Sequence, residues 1–275
     1  MGSAVKIEQD GGASQTPLLA PGAASSFAGA MDKPDYIVSD IHLGAVPDAT
    51  EREFVRFLDR VGREAGSLLL VGDLFDFWFE YGEVIPGRHF RTLAALARLV
   101  DAGIPVSMAA GNHDAWGGRF LREHVGMAFH TTPFRSVLGG APALVAHGDG
   151  LGKGDLKYRA LKAVIRSRAA VGAFRVLHPE LGIRLARAVS STEEKTTADP
   201  AAEGRAAFLE SWAMARLEED PTLRWVVCGH SHRPAVVEHS PGRHYLNAGD
   251  WITHYTYFTV TDEGAVLHRW PYGDA

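Results

Sequence analysis

The chain has 275 residues, 46% of them apolar, and a formal net charge of −5. That length suits one large α/β domain with an insertion, or two small domains, and the charge offers no global basic field for nucleic acid. A single cysteine, Cys228, rules out an intrachain disulfide framework and fits a reducing, cytoplasmic setting. No apolar run reaches the about 18 residues of a membrane-spanning helix.

Residues 1–34 are rich in Gly, Ala, Ser and Pro and lack a basic segment followed by an apolar core. They read as a disordered tail, not a secretory signal, ahead of a domain over 35–275. Residues 36–38 form a short apolar run that suits a strand buried on both faces. Thr50 and Glu53 have capping-box spacing, and Phe54, Phe57, Leu58 and Val61 follow at helical spacing. A second buried strand is expected over 68–71, a helix over 91–100 ended by Gly103 and Pro105, and a strand over 105–108. The run 143–146 is a further strand.

The stretch 151–220 has no strand pattern, many Arg and Lys, and helical spacing, so it reads as a helical insertion. Strands resume at 225–228, 243–246, 256–260 and 266–270, with a turn at Asp262-Glu263-Gly264. Alternating strands and helices predict an α/β fold with parallel strands in the first half, and the closely spaced late strands predict a sheet-on-sheet sandwich with helices outside.

Five polar clusters follow apolar runs, where the carboxyl ends of strands bind ligands in α/β sheets. They are Asp40-Ile41-His42, Gly72-Asp73-Leu74-Phe75-Asp76, Gly111-Asn112-His113-Asp114, His147-Gly148-Asp149 and Gly229-His230-Ser231-His232. Asp40 and His42 sit two apart, which on an extended segment puts both side chains on one face; His230 and His232 repeat the spacing. Asp, Asn and imidazole suit divalent ions such as Mn²⁺, Fe²⁺, Zn²⁺ or Mg²⁺. Any one cluster is an ordinary turn or a helix cap. Five in order, each after a buried-strand pattern, point to a metal site.

Taken together and in that order, these motifs resemble the calcineurin-like metallophosphoesterases over about 36–260. The resemblance implies a four-layer α/β/β/α sandwich and two divalent metal ions, with Mn²⁺ the expected pair. It implies that one ion takes Asp40, His42, Asp73 and His232, and the other Asp73, Asn112, His147 and His230, with Asp73 shared. Two cations roughly 3.5–4 Å apart need such an anionic bridge and acidify a water between them. The resemblance gives His113 the task of stabilising the phosphoryl group or protonating the leaving oxygen, with Asp76 orienting it.

A closer resemblance joins Gly72-Asp73-Leu74-Phe75-Asp76-Phe77-Trp78, His147-Gly148-Asp149-Gly150-Leu151, Asp155, Tyr158, a basic helical stretch and Gly229-His230-Ser231-His232-Arg233-Pro234. It is to the UDP-2,3-diacylglucosamine pyrophosphatases of lipid A synthesis, whose helical insertion forms a lid over the acyl chains. It implies a nucleotide-sugar lipid as substrate, cleaved to lipid X and UMP, with Asp155, Tyr158, Arg166 and Arg187 as substrate contacts. Position 113 departs, since the best-known members of that group carry Arg there.

Over 152–188 nine basic residues stand against two acidic ones, interleaved with Leu161, Val164, Ile165, Val171, Phe174 and Leu177. Such a segment reads as an element for an anionic membrane surface, peripheral on the inner membrane, or as an amphipathic pair packed on the sandwich. A soluble phosphodiesterase or nucleotide pyrophosphatase, and a metal-binding scaffold without catalysis, are the alternative functions.

Overall fold

The computed structural model describes residues 6–7, 33–81, 84–151, 167–189 and 202–271. In chain order these form β1 (Lys6–Ile7), β2 (Asp35–Val38), α1 (Asp48–Glu64), β3 (Ser67–Val71), α2 (Phe90–Asp101), β4 (Val106–Ala109), α3 (Arg119–Glu123) and β5 (Ala128–His130). Next come β6 (Phe134–Leu138), β7 (Ala141–Val145), α4 (Arg168–Arg175), α5 (Pro179–Val189) and α6 (Ala202–Glu219). The chain then adds β8 (Trp225–Cys228), β9 (Pro234–Ser240), β10 (Arg243–Ala248), β11 (Thr256–Val260) and β12 (Ala265–Arg269).

Two sheets result. One has the order β1-β12-β11-β2-β3-β4-β5, the other β6-β7-β8-β10-β9. Strands β2 to β5 run parallel, each paired with the next, whereas β11 and β12 are antiparallel neighbours on the other side of β2. In the second sheet β7, β8 and β10 are parallel. The segment read as a tail contributes β1, which pairs with β12 at Lys6 and Val266; its residues 1–5 and 8–32 lie outside the described set.

The side-chain alternation of β2 and β3 explains the layering. Ile37, Leu69 and Val71 face the second sheet, where Val145, Trp225, Val227 and Leu246 complete the inner core. Tyr36, Val38, Leu68 and Leu70 face outward and are covered by Phe54, Phe57, Leu58 and Val61 of α1 and by Leu93 and Leu96 of α2. On the far face of the second sheet, Leu209, Ala213 and Leu217 of α6 cover Val226, Cys228 and Tyr245. The result is a four-layer α/β/β/α sandwich. Helix α6, sequentially part of the expected insertion, thus forms the outer layer of that sheet.

The capping box expected at Thr50 and Glu53 is not formed. Helix α1 begins at Asp48 after Pro47, whose fixed φ suits the entry, and Asp48 and Glu51 supply the negative charge of the first turn. Thr50 is buried inside that turn, and Glu53 accepts a hydrogen bond from Trp270 Nε1 at 3.2 Å.

Phe57 is fully buried and meets Tyr36, Trp251, Tyr257 and Trp270 with ring centroids at 5.9, 5.1, 5.0 and 5.6 Å. It therefore joins α1 to the first sheet and to Trp270, which directly follows β12. Phe57→Ala should lower the unfolding free energy by about 3–5 kcal/mol. Chemical denaturation of the variant checks this; a loss below about 1 kcal/mol would show that the cluster does not anchor α1.

Candidate metal centre

The five polar clusters all emerge from the carboxyl ends of strands: Asp40 and His42 after β2, Asp73 and Asp76 after β3, Asn112 to Asp114 after β4, His147 after β7, and His230 and His232 after β8. Because the two sheets face each other, the loops of β2, β3 and β4 meet those of β7 and β8 at one end of the sandwich. The route to convergence differs from the expected pleat. Asp40, His42, Asp73, His230 and His232 all have left-handed backbones, with φ of 54°, 51°, 50°, 66° and 58°. Side chains two apart meet here through these turns, each costing roughly 1–2 kcal/mol for a residue with a Cβ. Among the described non-glycine residues only one other, Tyr255, has positive φ.

Three groups of potential ligand atoms lie within 4.8 Å: Asp40 with His42 and His232; Asp73 with His147 and His230; and His42 with Asp76 and His113. Asp73 is central. Its Oδ1 accepts the His113 backbone N–H at 2.9 Å, while Oδ2 lies 3.2 Å from His147 Nε2 and 3.8 Å from His42 Nε2. His42 Nε2 is in turn 3.3 Å from His232 Nε2 and 3.9 Å from Asp40 Oδ1. Asp40 is locked by the backbone N–H of His230, at 3.2 and 2.9 Å from its two oxygens.

The His147 ring is oriented by Nδ1, which donates to the Val71 carbonyl at 2.8 Å and so turns Nε2 toward Asp73. The His113 ring is held the same way: Nδ1 donates to the Asp76 carbonyl at 2.7 Å, while the Asp76 carboxylate stands off at 3.5 Å. The main-chain oxygen, then, makes the hydrogen bond that was expected of the Asp76 side chain.

Residues with no role assigned from sequence hold these loops. Asp114, fully buried, accepts the N–H of Gly111 at 2.7 Å and of Leu74 at 2.8 Å, tying the β4 loop to the β3 loop. Asn247 donates to the Gly229 carbonyl and to Ser231 Oγ, fixing the Gly229–His232 turn. Asp250 places Oδ2 3.7 Å from His232 Nδ1 and receives the N–H groups of Ile252, Thr253 and His254. At Gly111 a Cβ would lie 2.0 Å from Asp73 Oδ1, so only glycine lets the β4 loop approach the central carboxylate. The expected substrate contacts Asp155, Tyr158 and Arg166 lie outside the described residues. Arg187 belongs to α5, but its side chain is also outside them.

Buried polar atoms ordinarily find partners. Here His42 Nδ1, His147 Nε2 and Asn112 Oδ1 make no aligned hydrogen bond. A carboxylate-imidazole-amide donor set with such atoms, at 0% exposure for Asp40 and His42, fits divalent cations. The profile of the calcineurin-like phosphoesterases matches residues 36–234. The chain belongs to this family. Proteins named UDP-2,3-diacylglucosamine hydrolase are similar along most of their length. One from Porphyromonas gingivalis is 30% identical, covering 81% of this chain and 92% of that protein; one from Ralstonia nicotianae is 32% identical, covering 79% and 84%. A third, from an Enterobacter species, is 29% identical, covering 86% and 98%. As a calcineurin-like phosphoesterase the protein is a hydrolase, and the family uses divalent metals.

The candidate ligands of this phosphoesterase hold protons in the metal-free protein. Burial pushes Asp40 up to about 8. Burial opposes a proton on His147, but the Asp73 carboxylate beside it outweighs this and raises His147 to about 10. Asp73 itself resists desolvation and is held well below the usual carboxylate range by His147 and His113. Both raised groups therefore carry protons near pH 7.5 in the metal-free protein and must lose them to act as ligands. Metal loading should release protons, and affinity should rise with pH through the range 7 to 9. Titration calorimetry with Mn²⁺ in two buffers of different ionisation heat measures the release; identical heats, with no proton uptake by the buffer, would contradict the assignment.

Proposed function

We propose that the protein cleaves the pyrophosphate of UDP-2,3-diacylglucosamine to UMP and the diacylglucosamine 1-phosphate, lipid X, with two Mn²⁺ ions. Asp40, His42, Asp73 and His232 would hold one ion and Asp73, Asn112, His147 and His230 the other. When bound, such a pair acidifies a water and neutralises charge on the phosphoryl oxygens. In the reaction the water oxygen bonds to the uridyl phosphorus, the bond from that phosphorus to the bridging oxygen breaks, and a proton ends on the departing phosphate. His113 is the donor in this reading. Its Nδ1–H is engaged with the Asp76 carbonyl, which leaves Nε2 as the nitrogen that exchanges protons.

The observation that carries the substrate reading is an aromatic cluster on the His113 flank of the centre. Phe174 of α4 packs on Phe77, Phe79, Tyr81 and Trp116, with centroids at 5.9, 4.7, 6.1 and 5.0 Å. Phe77 directly follows Asp76, and Trp116 lies three residues beyond His113. Helix α5 closes on the same loop: a Cβ at Gly182 would lie 2.1 Å from Tyr81 Oη. The insertion helices thus bring an apolar wall to the flank from which His113 serves the leaving group. An apolar leaving group such as a diacyl sugar phosphate suits that wall, at about 0.8 kcal/mol per buried CH₂.

The tip between α4 and α5 exposes Val176 and Leu181 beside Arg175 and Arg184. An apolar tip with two arginines against the single acid Glu180 suits an anionic membrane surface, where the lipid substrate resides. No helix among the described residues is long and apolar enough to cross a membrane.

Product analysis after incubation with UDP-2,3-diacylglucosamine and Mn²⁺ should give UMP and lipid X. Phe174→Ser should raise KM for that substrate roughly tenfold or more, the equivalent of losing 1.5–3 kcal/mol of aromatic burial. It should leave kcat/KM for bis(4-nitrophenyl) phosphate unchanged. Equal losses on both substrates, in a variant whose melting curve is unchanged, would favour a soluble phosphodiesterase instead.

A further inference from the structure

The run Phe77-Trp78-Phe79-Glu80-Tyr81 alternates, and its two sets of side chains go opposite ways. Phe77, Phe79 and Tyr81 pack on Phe174 of α4 and build the apolar wall. Trp78 and Glu80 turn away from it and are buried, as the two-residue period of an extended segment requires. Trp78 belongs inside: it stacks on Phe75, with centroids 4.4 Å apart, in the outer core of the first sheet. A carboxyl group belongs there only if donors meet it.

Glu80 Oε1 accepts the Gly118 N–H at 2.8 Å and the Trp78 Nε1–H at 3.2 Å. Oε2 accepts the N–H groups of Arg119 and Phe120 at 2.9 and 3.0 Å. All of these partners donate, so the place calls for two acceptor oxygens, which a carboxylate has and an amide lacks. The backbone donors open α3, yet the contact also fixes the segment ahead of that helix. Asp114 accepts the N–H groups of Gly111 and Leu74 at the start of the segment, and Glu80 holds Gly118 at its end. Between them the Trp78 N–H donates to the His113 carbonyl at 3.2 Å, and Phe79 and Trp116 form a parallel bridge. The β3 and β4 loops thus lie side by side in one register. That register brings the Trp116 ring to 6.0 Å from Phe77, 5.2 Å from Phe79 and 5.0 Å from Phe174.

We propose that Glu80 is a positioning residue for recognition of the leaving group: by holding the β4 loop against the β3 loop it places Trp116 in the apolar wall beside His113. Glu80 touches no substrate; it acts through the indole ring of Trp116. The role rests on the substrate reading above and adds to it the residue that closes the wall. A cap that served α3 alone would affect stability and every substrate alike. A pin that sets the loop register affects what the wall binds.

The test uses the Mn²⁺-loaded full chain with bis(4-nitrophenyl) phosphate as reporter. Dodecyl phosphate, kept below its micelle-forming concentration, and inorganic phosphate serve as inhibitors. Wild type should bind dodecyl phosphate at least about tenfold more tightly than phosphate, because the wall shelters the chain. Glu80→Gln keeps the shape but turns one acceptor into a donor. It should raise the Ki for dodecyl phosphate, and KM for UDP-2,3-diacylglucosamine, about tenfold each. The Ki for phosphate, kcat/KM for the reporter and kcat for the lipid should change less than about threefold. In a Trp116→Ser background the same substitution should add less than about twofold, since the ring it places is gone. Should Glu80→Gln not fold, Glu80→Asp, which sets the two oxygens one methylene short, carries the same expectations.

Equal losses on the reporter and on dodecyl phosphate would make Glu80 a helix cap alone and overturn the role. So would an unchanged Ki for dodecyl phosphate in the variant, or a full effect that persists without Trp116. Equal Ki values for dodecyl phosphate and phosphate in wild type would overturn it too, because the wall would then bind nothing. If wild type leaves UDP-2,3-diacylglucosamine uncleaved while the dodecyl phosphate effects hold, Glu80 keeps its role at the wall and the lipid reading falls.

Discussion

The Asp73 carboxylate is the constraint around which the rest is arranged. One oxygen is held by the His113 N–H, and the other is shared between His147 and His42, which belong to loops of different sheets. A buried anion with two imidazoles pointed at it is costly unless positive charge is supplied. In the metal-free protein the proton on His147 supplies it; in the proposed reading bound cations would. The sandwich makes the meeting feasible, because its two inner faces pack through Ile37, Leu69, Val71, Val145 and Val227 and so fix the strand ends that carry the candidate ligands. Rigid strands then impose left-handed turns on five of the candidate ligands, and Asp114, Asn247 and Asp250 hold those turns with buried hydrogen bonds.

The flanks of the centre differ in character. On the His113 flank, five aromatic rings from the β3 and β4 loops and from α4 form an apolar wall. On the His147 flank, threonines, a neutral histidine and a carboxylate line a small cleft.

Much of this was legible in the sequence. Buried parallel strands need continuous apolar runs, and 36–38, 68–71 and 225–228 announce β2, β3 and β8 because both their faces are covered. The strands that went unread, β1, β5, β6 and β9, all lie at sheet edges; they are short or half-exposed, so neither an apolar run nor a clean alternation marks them. The ligand clusters stood out as polar groups after apolar runs. By the same pattern Leu246-Asn247-Ala248-Gly249-Asp250 is a sixth such cluster, and it carries the residues that brace His232 and its turn. Backbone handedness was not legible: an Asp-x-His spacing predicts a shared face on an extended strand, and nothing local to Asp40 or His42 reveals that tertiary packing has forced φ positive. The helix start at Asp48 was hidden for a related reason, since Pro47 positions the first turn by geometry and leaves the Thr50-Glu53 pair with other partners.

The central claim is that Asp73 is the shared anionic ligand of a two-ion site. Elemental analysis of wild type and Asp73→Asn, both exchanged into Mn²⁺ and freed of loose metal, tests it directly. The account predicts about two ions per chain in wild type and a marked loss in the variant, with turnover of any phosphodiester abolished and the melting curve still cooperative. Two tightly held ions and normal turnover in Asp73→Asn would contradict it.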